Sequence, residues 1–282
     1  MVTDIALPSG ACLNFSGPAL VMAVVNCNDD SFYSPSRALA DKALEMALAA
    51  EEEGAAIIDF GGESSRPGSL YVSDEAEQER VIPVIRAFRK KSSLPVSVDT
   101  RKVLVARSAL DAGADIINDI SGLADDPKMA TLCAERSAAV VLMHKKGVPL
   151  TMQNSPTYEN LIEELKTWFE SAAVRAMAAG VSAGKIVLDP GIGFGKNLND
   201  NLEILRRLAE VCGKDYPIMV GLSRKSFLGE LTGRPAEERL AGTLAVNAAA
   251  LMGGAHIIRV HDVKEHTDLV KILYALRVGA EH

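Results

Sequence analysis

Short apolar runs, each closing on a polar residue, recur along the chain. They are ALVMAVVN (19–26), AAIIDF (55–60), LPVSVD (94–99), ADIINDI (114–120), AAVVLMH (138–144), KIVLD (185–189), PIMVGLS (217–223) and AHIIRVH (255–261). Their length and β-branched content predict strands covered on both faces, as in a parallel sheet. Between them lie Ala-rich or amphipathic stretches of helical length, such as 36–54, 73–91 and 236–254. Gly54 marks a stop for the first. Ser73 and Asp74 are candidate caps for the second, with Glu75 and Glu77 where carboxylates meet the positive end of the helix dipole. Eight strands alternating with eight helices predict the α/β class and a (β/α)8 TIM barrel over 19–282, with a doubly wound sheet as the alternative. Residues 1–18, with Pro8-Ser9-Gly10 and Ser16-Gly17-Pro18, predict a short hairpin capping the bottom of the barrel.

Composition narrows the function more than the fold. At 282 residues and 48% hydrophobic, the chain is neither disordered nor a coiled coil. A net charge of −7 argues against a general nucleic-acid partner but leaves room for a local basic pocket. Cys12, Cys27, Cys133 and Cys212 are far apart, without a C-x-x-C, and read as reduced residues of a cytoplasmic protein. No apolar run approaches the ~18 residues of a membrane span, and the start lacks the order of a secretory signal.

A barrel enzyme carries its chemistry at the C-terminal ends of its strands. Here those positions hold Asn26, Asp59, Asp99, Asn118, His144, Asp189, Ser223 and the pair Arg259/His261. Proximity to solvent explains one polar strand end. It does not explain all eight inside such apolar runs, because a buried polar group needs a partner. Asp99, Asn118 and Asp189 offer acceptors and one amide, suited to a flat heterocycle with several N–H donors and a carbonyl. Lys225, Arg259, His261 and Arg66 suit phosphate or diphosphate, and Asn26 could give an oxygen to a Mg²⁺ bridging phosphates. GGESSRPG (61–68) reads as a stiff turn holding Arg66 outward. DPGIGFGK (189–196) lacks the spacing of a dinucleotide or P-loop motif, and its glycines let Phe194 and the backbone approach a ligand. Lys225, beside Arg224, reads as a hydrogen-bonding group rather than a Schiff-base nucleophile. His256 reads as structural, His266 and His282 as surface residues, and Trp168 as core or interface.

In this order the segments NCNDDSF (26–32), DFGGESSRPG (59–68), SVDT (97–100), IINDISG (116–122), LMH (142–144), DPGIGFGK (189–196), SRKSFLG (223–229) and RVHD (259–262) resemble the dihydropteroate synthase family. The resemblance runs across nearly the whole chain. The family joins 4-aminobenzoate to the diphosphate ester of 6-hydroxymethyl-7,8-dihydropterin and releases diphosphate, a step of folate biosynthesis and a target of sulfonamides. The resemblance implies that Asn26 holds Mg²⁺ at the diphosphate. It implies that Asp99, Asn118, Asp189 and Lys225 hydrogen-bond the pterin, with Met143 and Phe194 lining the pocket. Arg259 would stack on the pterin and, with His261, hold the departing diphosphate. Ser65, Arg66, Pro67 and Ser226, with Phe32, would form the aminobenzoate side, and Asp30 would join the catalytic set. A homodimer is also implied, with 236–254 and 265–278 as its expected surface. The first loop departs from the usual NVTPDSFSD: Asp29 replaces the proline and Ser34 the second aspartate, while Ser65 stands for the usual threonine. Two alternatives follow, a pterin-binding paralogue without synthase activity and a corrinoid-dependent methyltransferase module. The SRKS and RVHD rims favour the synthase, since a methyl donor brings no diphosphate.

Overall fold

The computed structural model describes residues 2–28, 36–64, 69, 71–147 and 156–279, without the side chains of 36–38. An antiparallel hairpin, β1 (Ile5–Ala6) and β2 (Cys12–Leu13), comes first. The parallel strands that follow are β3 (Leu20–Asn26), β4 (Ile57–Gly61), β5 (Val96–Asp99), β6 (Ile116–Asp119), β7 (Ala139–Met143), β8 (Ile186–Asp189), β9 (Met219–Val220) and β10 (Ile257–Val260). Seven of the eight expected runs contain one of them whole, and β4 overruns 55–60 by one residue, to Gly61. Strands adjacent in sequence pair from β3 to β8, β9 pairs with β10, and β10 returns to β3 with Ile257 opposite Leu20. The remaining seam is narrow: Leu188 bridges Ile218, and its N–H donates to the Pro217 carbonyl at 2.9 Å. First strand pairs with last, so the sheet is a TIM barrel and not a doubly wound sheet.

Helices α1 (Ser36–Glu52), α2 (Asp74–Arg89), α3 (Val103–Asp111), α4 (Lys128–Glu135), α5 (Leu161–Ala178), α6 (Leu198–Arg206), α7 (Leu208–Cys212), α8 (Ser226–Thr232), α9 (Leu240–Met252) and α10 (Val263–Val278) lie between or after the strands. The Ser73 hydroxyl caps α2 by accepting from the Ala76 N–H at 3.2 Å. The stretch 236–254 is not one helix. A single 3-10 turn, Ala236–Glu238, precedes α9. The break falls at Arg239, whose guanidinium reaches back to the carbonyls of Arg234 and Arg224.

Side-chain parity builds two cores. Val21, Ala23 and Val25 of β3 face the helices, together with Ile58, Val98, Ile117, Leu142 and Leu188. Met22, Ile57, Ile116, Ala139, Val187, Met219 and Ile257 point into the lower barrel, where Ile5, Leu7 and Leu13 of the hairpin close it. The hairpin is therefore at the bottom, tied by the Ser9 N–H to Asp115 Oδ1 at 3.0 Å. Burying each such aliphatic side chain contributes about 1.5–3 kcal/mol. With the bottom filled by hydrocarbon, the open end is the top, where most of the next inward positions are polar.

One histidine is placed differently from the sequence expectation. His266 is fully buried, not at the surface: Nε2 faces Asn247 Nδ2 at 3.0 Å and Nδ1 faces the Asp262 carbonyl at 2.6 Å. It shares the inward stripe of α10 with Val263, Thr267 and Val270, a spacing that marks a buried helix face. His282 lies outside the described residues. His256 is structural, its Nδ1 accepting from the Ile218 N–H at 3.1 Å beside the seam.

Candidate active site

Inward parity turns from apolar to polar one step up four of the strands. Ile57 is followed two residues later by Asp59, Ile116 by Asn118, Val187 by Asp189 and Ile257 by Arg259. Because side chains alternate with period two, these residues must meet inside the barrel mouth. They do. Arg259 Nε donates to Asp59 Oδ2 at 2.6 Å and its Nη2 to Asp99 Oδ2 at 2.9 Å, while Asn118 Nδ2 donates to Asp59 Oδ2 at 3.2 Å. Asp59 is fully buried, and its Oδ1 has no hydrogen-bond partner among the described residues. Sequence reasoning noted this aspartate at a strand end but gave it no role. The same parity that places Asn118 would have placed it at the hub.

Charge around the hub is finely divided. Burial pushes Asp99 up to about 7 against the pull of Arg259, with Asp59 and Glu77 adding to the rise. Burial likewise raises Asp189, opposed by Lys225 and by the Gly191 N–H, which Asp189 Oδ1 accepts at 2.7 Å. Lys225 is drawn down to about 8 by burial, with Asp189 opposing and Arg259 assisting. Its Nζ donates to the Ile192 carbonyl and sits 4.6 Å from the centre of the Phe194 ring. Two buried carboxylates that accept hydrogen bonds readily, one amide, one lysine and an aromatic face make a slot for a flat polar ring. A cleft beside Asp99 is lined by Glu63, Ser64, Thr100, Arg101 and Ile120.

The rim after β9 and β10 is cationic. His261 is exposed, its Nδ1 2.9 Å from Ser223 Oγ. Arg224 holds a left-handed backbone, φ +57°, a conformation that costs a bulky residue free energy. It is fixed by the Asp262 carboxylate, 3.0 Å from Nε, and by Thr243 Oγ1, which accepts its N–H at 3.1 Å. That strained turn sets the direction of the next residue, Lys225. Ser226 is exposed at the start of α8, Met143 is buried at the end of β7, and Asn26 is exposed at the end of β3. Asp30, Phe32, Ser65, Arg66 and Pro67, with Asp29 and Ser34, lie outside the described residues.

Three comparisons bear on this arrangement. The sequence profile of the pterin-binding enzyme family matches residues 22–261. A dihydropteroate synthase of Escherichia coli K12 is 44% identical over 275 residues, covering 97% of this chain and 96% of the relative. Among solved structures, the Yersinia pestis dihydropteroate synthase with a sulfonamide drug superposes with a TM-score of 0.92 at 40% identity, over 98% of this chain and 99% of that one. The Xanthomonas albilineans enzyme with 4-aminobenzoic acid gives 0.91 at 36% identity, over 99% of this chain and all of that one. The barrel, the ordered strand-end motifs and these matches together place the chain in the pterin-binding enzyme family, among the dihydropteroate synthases.

Proposed function

We propose that the protein condenses 4-aminobenzoate with (7,8-dihydropterin-6-yl)methyl diphosphate to give 7,8-dihydropteroate and diphosphate. The observation that carries the reading is the convergence of Asp99, Asn118, Asp189, Lys225 and Arg259 in one mouth. Asp99 and Asp189 accept from the N–H groups of the pterin, Asn118 and Lys225 complete its polar edge, and Met143 and Phe194 flank its faces. Arg259 is held flat between two carboxylates, a surface on which a ring can stack. With His261 it faces the diphosphate as that group leaves.

In the reaction the carbon–oxygen bond to diphosphate breaks and the electron pair leaves with the phosphate oxygen. The cation left on the pterin methylene is stabilised by the ring and by the nearby carboxylate of Asp99. The arylamine nitrogen then forms the new bond and releases a proton. Rate enhancement comes chiefly from placing charges where charge develops. Cationic Arg259 and His261 serve one side and Asp99 the other.

Among the described residues no group of three or more His, Cys, Asp or Glu could cage a metal. Asn26 offers one exposed oxygen at the mouth. Asn26 would hold a Mg²⁺ that arrives with the diphosphate. When bound it would neutralise charge on the leaving group. The Yersinia pestis relative, solved with a sulfonamide drug, supports the expectation that sulfonamides compete here with 4-aminobenzoate. The exposed apolar residues of α9 and α10 support a homodimer.

The test is diphosphate release in the presence of both substrates and Mg²⁺. Release that needs all three is the expected result. Tight binding of the pterin diphosphate without release would identify a non-catalytic paralogue. Asn26→Ala should remove the Mg²⁺ dependence of diphosphate binding, and Arg259→Ala should cut turnover.

A further inference from the structure

Lys196 is 2% exposed, and burial draws its ammonium down to about 7 against the longer-range pull of Asp189 and Asp200, neither of which it touches as an ion pair among the described residues. A buried lysine with no carboxylate in contact is costly, so hydrogen bonds must hold it as well. Its Nζ donates to the carbonyls of Gly191 at 3.0 Å, Phe194 at 3.2 Å and His144 at 3.2 Å, and lies 2.9 Å from His144 Nδ1. An ammonium has three N–H donors and no acceptor, so the four neighbours share its protons, and while it is charged Nδ1 accepts and His144 carries its proton on Nε2. Burial, then the Lys196 charge, draws His144 down to about 2, consistent with a neutral ring. Three backbone carbonyls pointing at one spot repel one another unless a cation sits among them.

The loop is shaped around that spot. Gly191 and Gly195 have φ +64° and +67°, and a Cβ on them would fall 1.9 Å from the His144 carbonyl oxygen and 2.2 Å from that of Lys146. The segment after β8 is thus pressed onto the end of β7. Its opposite side faces the mouth: the Ile192 carbonyl accepts from Lys225, and the Phe194 ring lies beneath that ammonium. One short loop therefore turns some groups inward to Lys196 and others outward to the ligand slot.

We infer that Lys196 is a positioning residue for the pterin end of the site, its ammonium folding the loop 190–195 so that Phe194 and Lys225 stand where a pterin meets them. The inference rests on the ligand reading given above. Lys196 touches no ligand, being sealed under the loop. The aminobenzoate side, assigned to other loops, is not tied to it.

The experiment compares wild type with Lys196→Met, which keeps the stem and loses the donors, and Lys196→Gln, whose amide still donates twice. Calorimetry with a non-reactive pterin is paired with steady-state KM values for both substrates. Lys196→Met should weaken pterin binding about tenfold or more and raise the pterin diphosphate KM similarly, with the 4-aminobenzoate KM unchanged. Lys196→Gln should fall between the two. Trp168, the only tryptophan, stands edge-on to His144 at 5.1 Å, so its emission in ligand-free protein reports the Lys196–His144 contact and should shift in Lys196→Met. If Lys196→Met does not fold, Lys196→Gln carries the comparison. Normal pterin binding by wild type and both variants overturns the inference alone, as does an equal rise in both KM values. A wild type that ignores the pterin overturns the ligand reading, and this inference with it.

Discussion

Asp99 and Lys225 show how single groups are tuned by what surrounds them. A carboxyl whose folded pKa rises from 3.8 to about 7 binds its proton more tightly in the folded state. The unfolded chain ionises first, so folding loses stability as pH climbs from the ordinary value through about 7, and the loss is complete above it. Asparagine does not ionise. The unfolding temperature of Asp99→Asn relative to wild type should therefore rise between about pH 5 and about pH 8. A flat difference in calorimetric scans would show that Arg259 already compensates the charge. The same variant should lose about 1–3 kcal/mol of pterin binding, because an acceptor becomes in part a donor. Lys225 carries the opposite sign: burial lowers its pKa to about 8, so its cation is lost as pH rises through that value. Pterin affinity of wild type should fall between about pH 7 and about pH 9, while Lys225→Met binds more weakly but with a flatter profile. Equal slopes in the two titrations would remove Lys225 from the slot. Asp99 and Arg259 were legible as strand ends, but the contact of Arg259 with Asp59 joins positions 200 apart. Only the closed barrel brings them to 2.6 Å.

At the scale of elements, strands were legible because they are buried on both faces and read as unbroken apolar runs between polar loops. The α2 cap was legible for a local reason, a serine followed by three acidic residues in the first turn. The division of α6 from α7 was not. Arg207 sits at φ −119°, ψ 28°, between them, its guanidinium paired to Glu203 and Glu210 on either side, and nothing in its neighbours announces a break. The buried stripe of α10, Val263, His266, Thr267 and Val270, has helical spacing, and His266 belongs inside because Asn247 and the Asp262 carbonyl meet its ring. The loop after β8 depends on backbone freedom more than on side chains. Gly191→Ala introduces a Cβ against the His144 carbonyl at a φ that L-residues avoid. It should cost more than about 1 kcal/mol of stability and weaken pterin binding together with it. Denaturant unfolding measures the first and calorimetry the second. An alanine variant with wild-type values in both would mean that the loop adopts another path with no loss.

Among the described residues, the large apolar side chains left most open to solvent lie on one side of the barrel, on α9 and α10. The bottom is plugged by the hairpin and the flanks by helices, yet α9 and α10 keep large apolar residues in solvent. Met252 is 75% exposed and Leu276 78%, with Ile272 and Val278 also more than half exposed. Only Thr243, Asn247 and Ala250 of α9 are buried, although its sequence is among the most apolar in the chain. Single exposed apolar residues are ordinary, but a contiguous group marks an interaction surface. The proposed occupant is a second copy, and twofold symmetry means each residue acts twice in such an interface. Burying a leucine contributes about 1.5–3 kcal/mol, so Leu276→Asp should weaken self-association about a hundredfold or more, before the cost of burying a charge. Light scattering across a dilution series would show wild type at twice the chain mass and the variant at once the mass. The mouth lies at the strand tops, and Leu276 is near the end of the final helix, so pterin binding by the variant should survive. A wild type that stays monomeric at every concentration overturns the dimer, and a variant as dimeric as wild type moves the interface to another face.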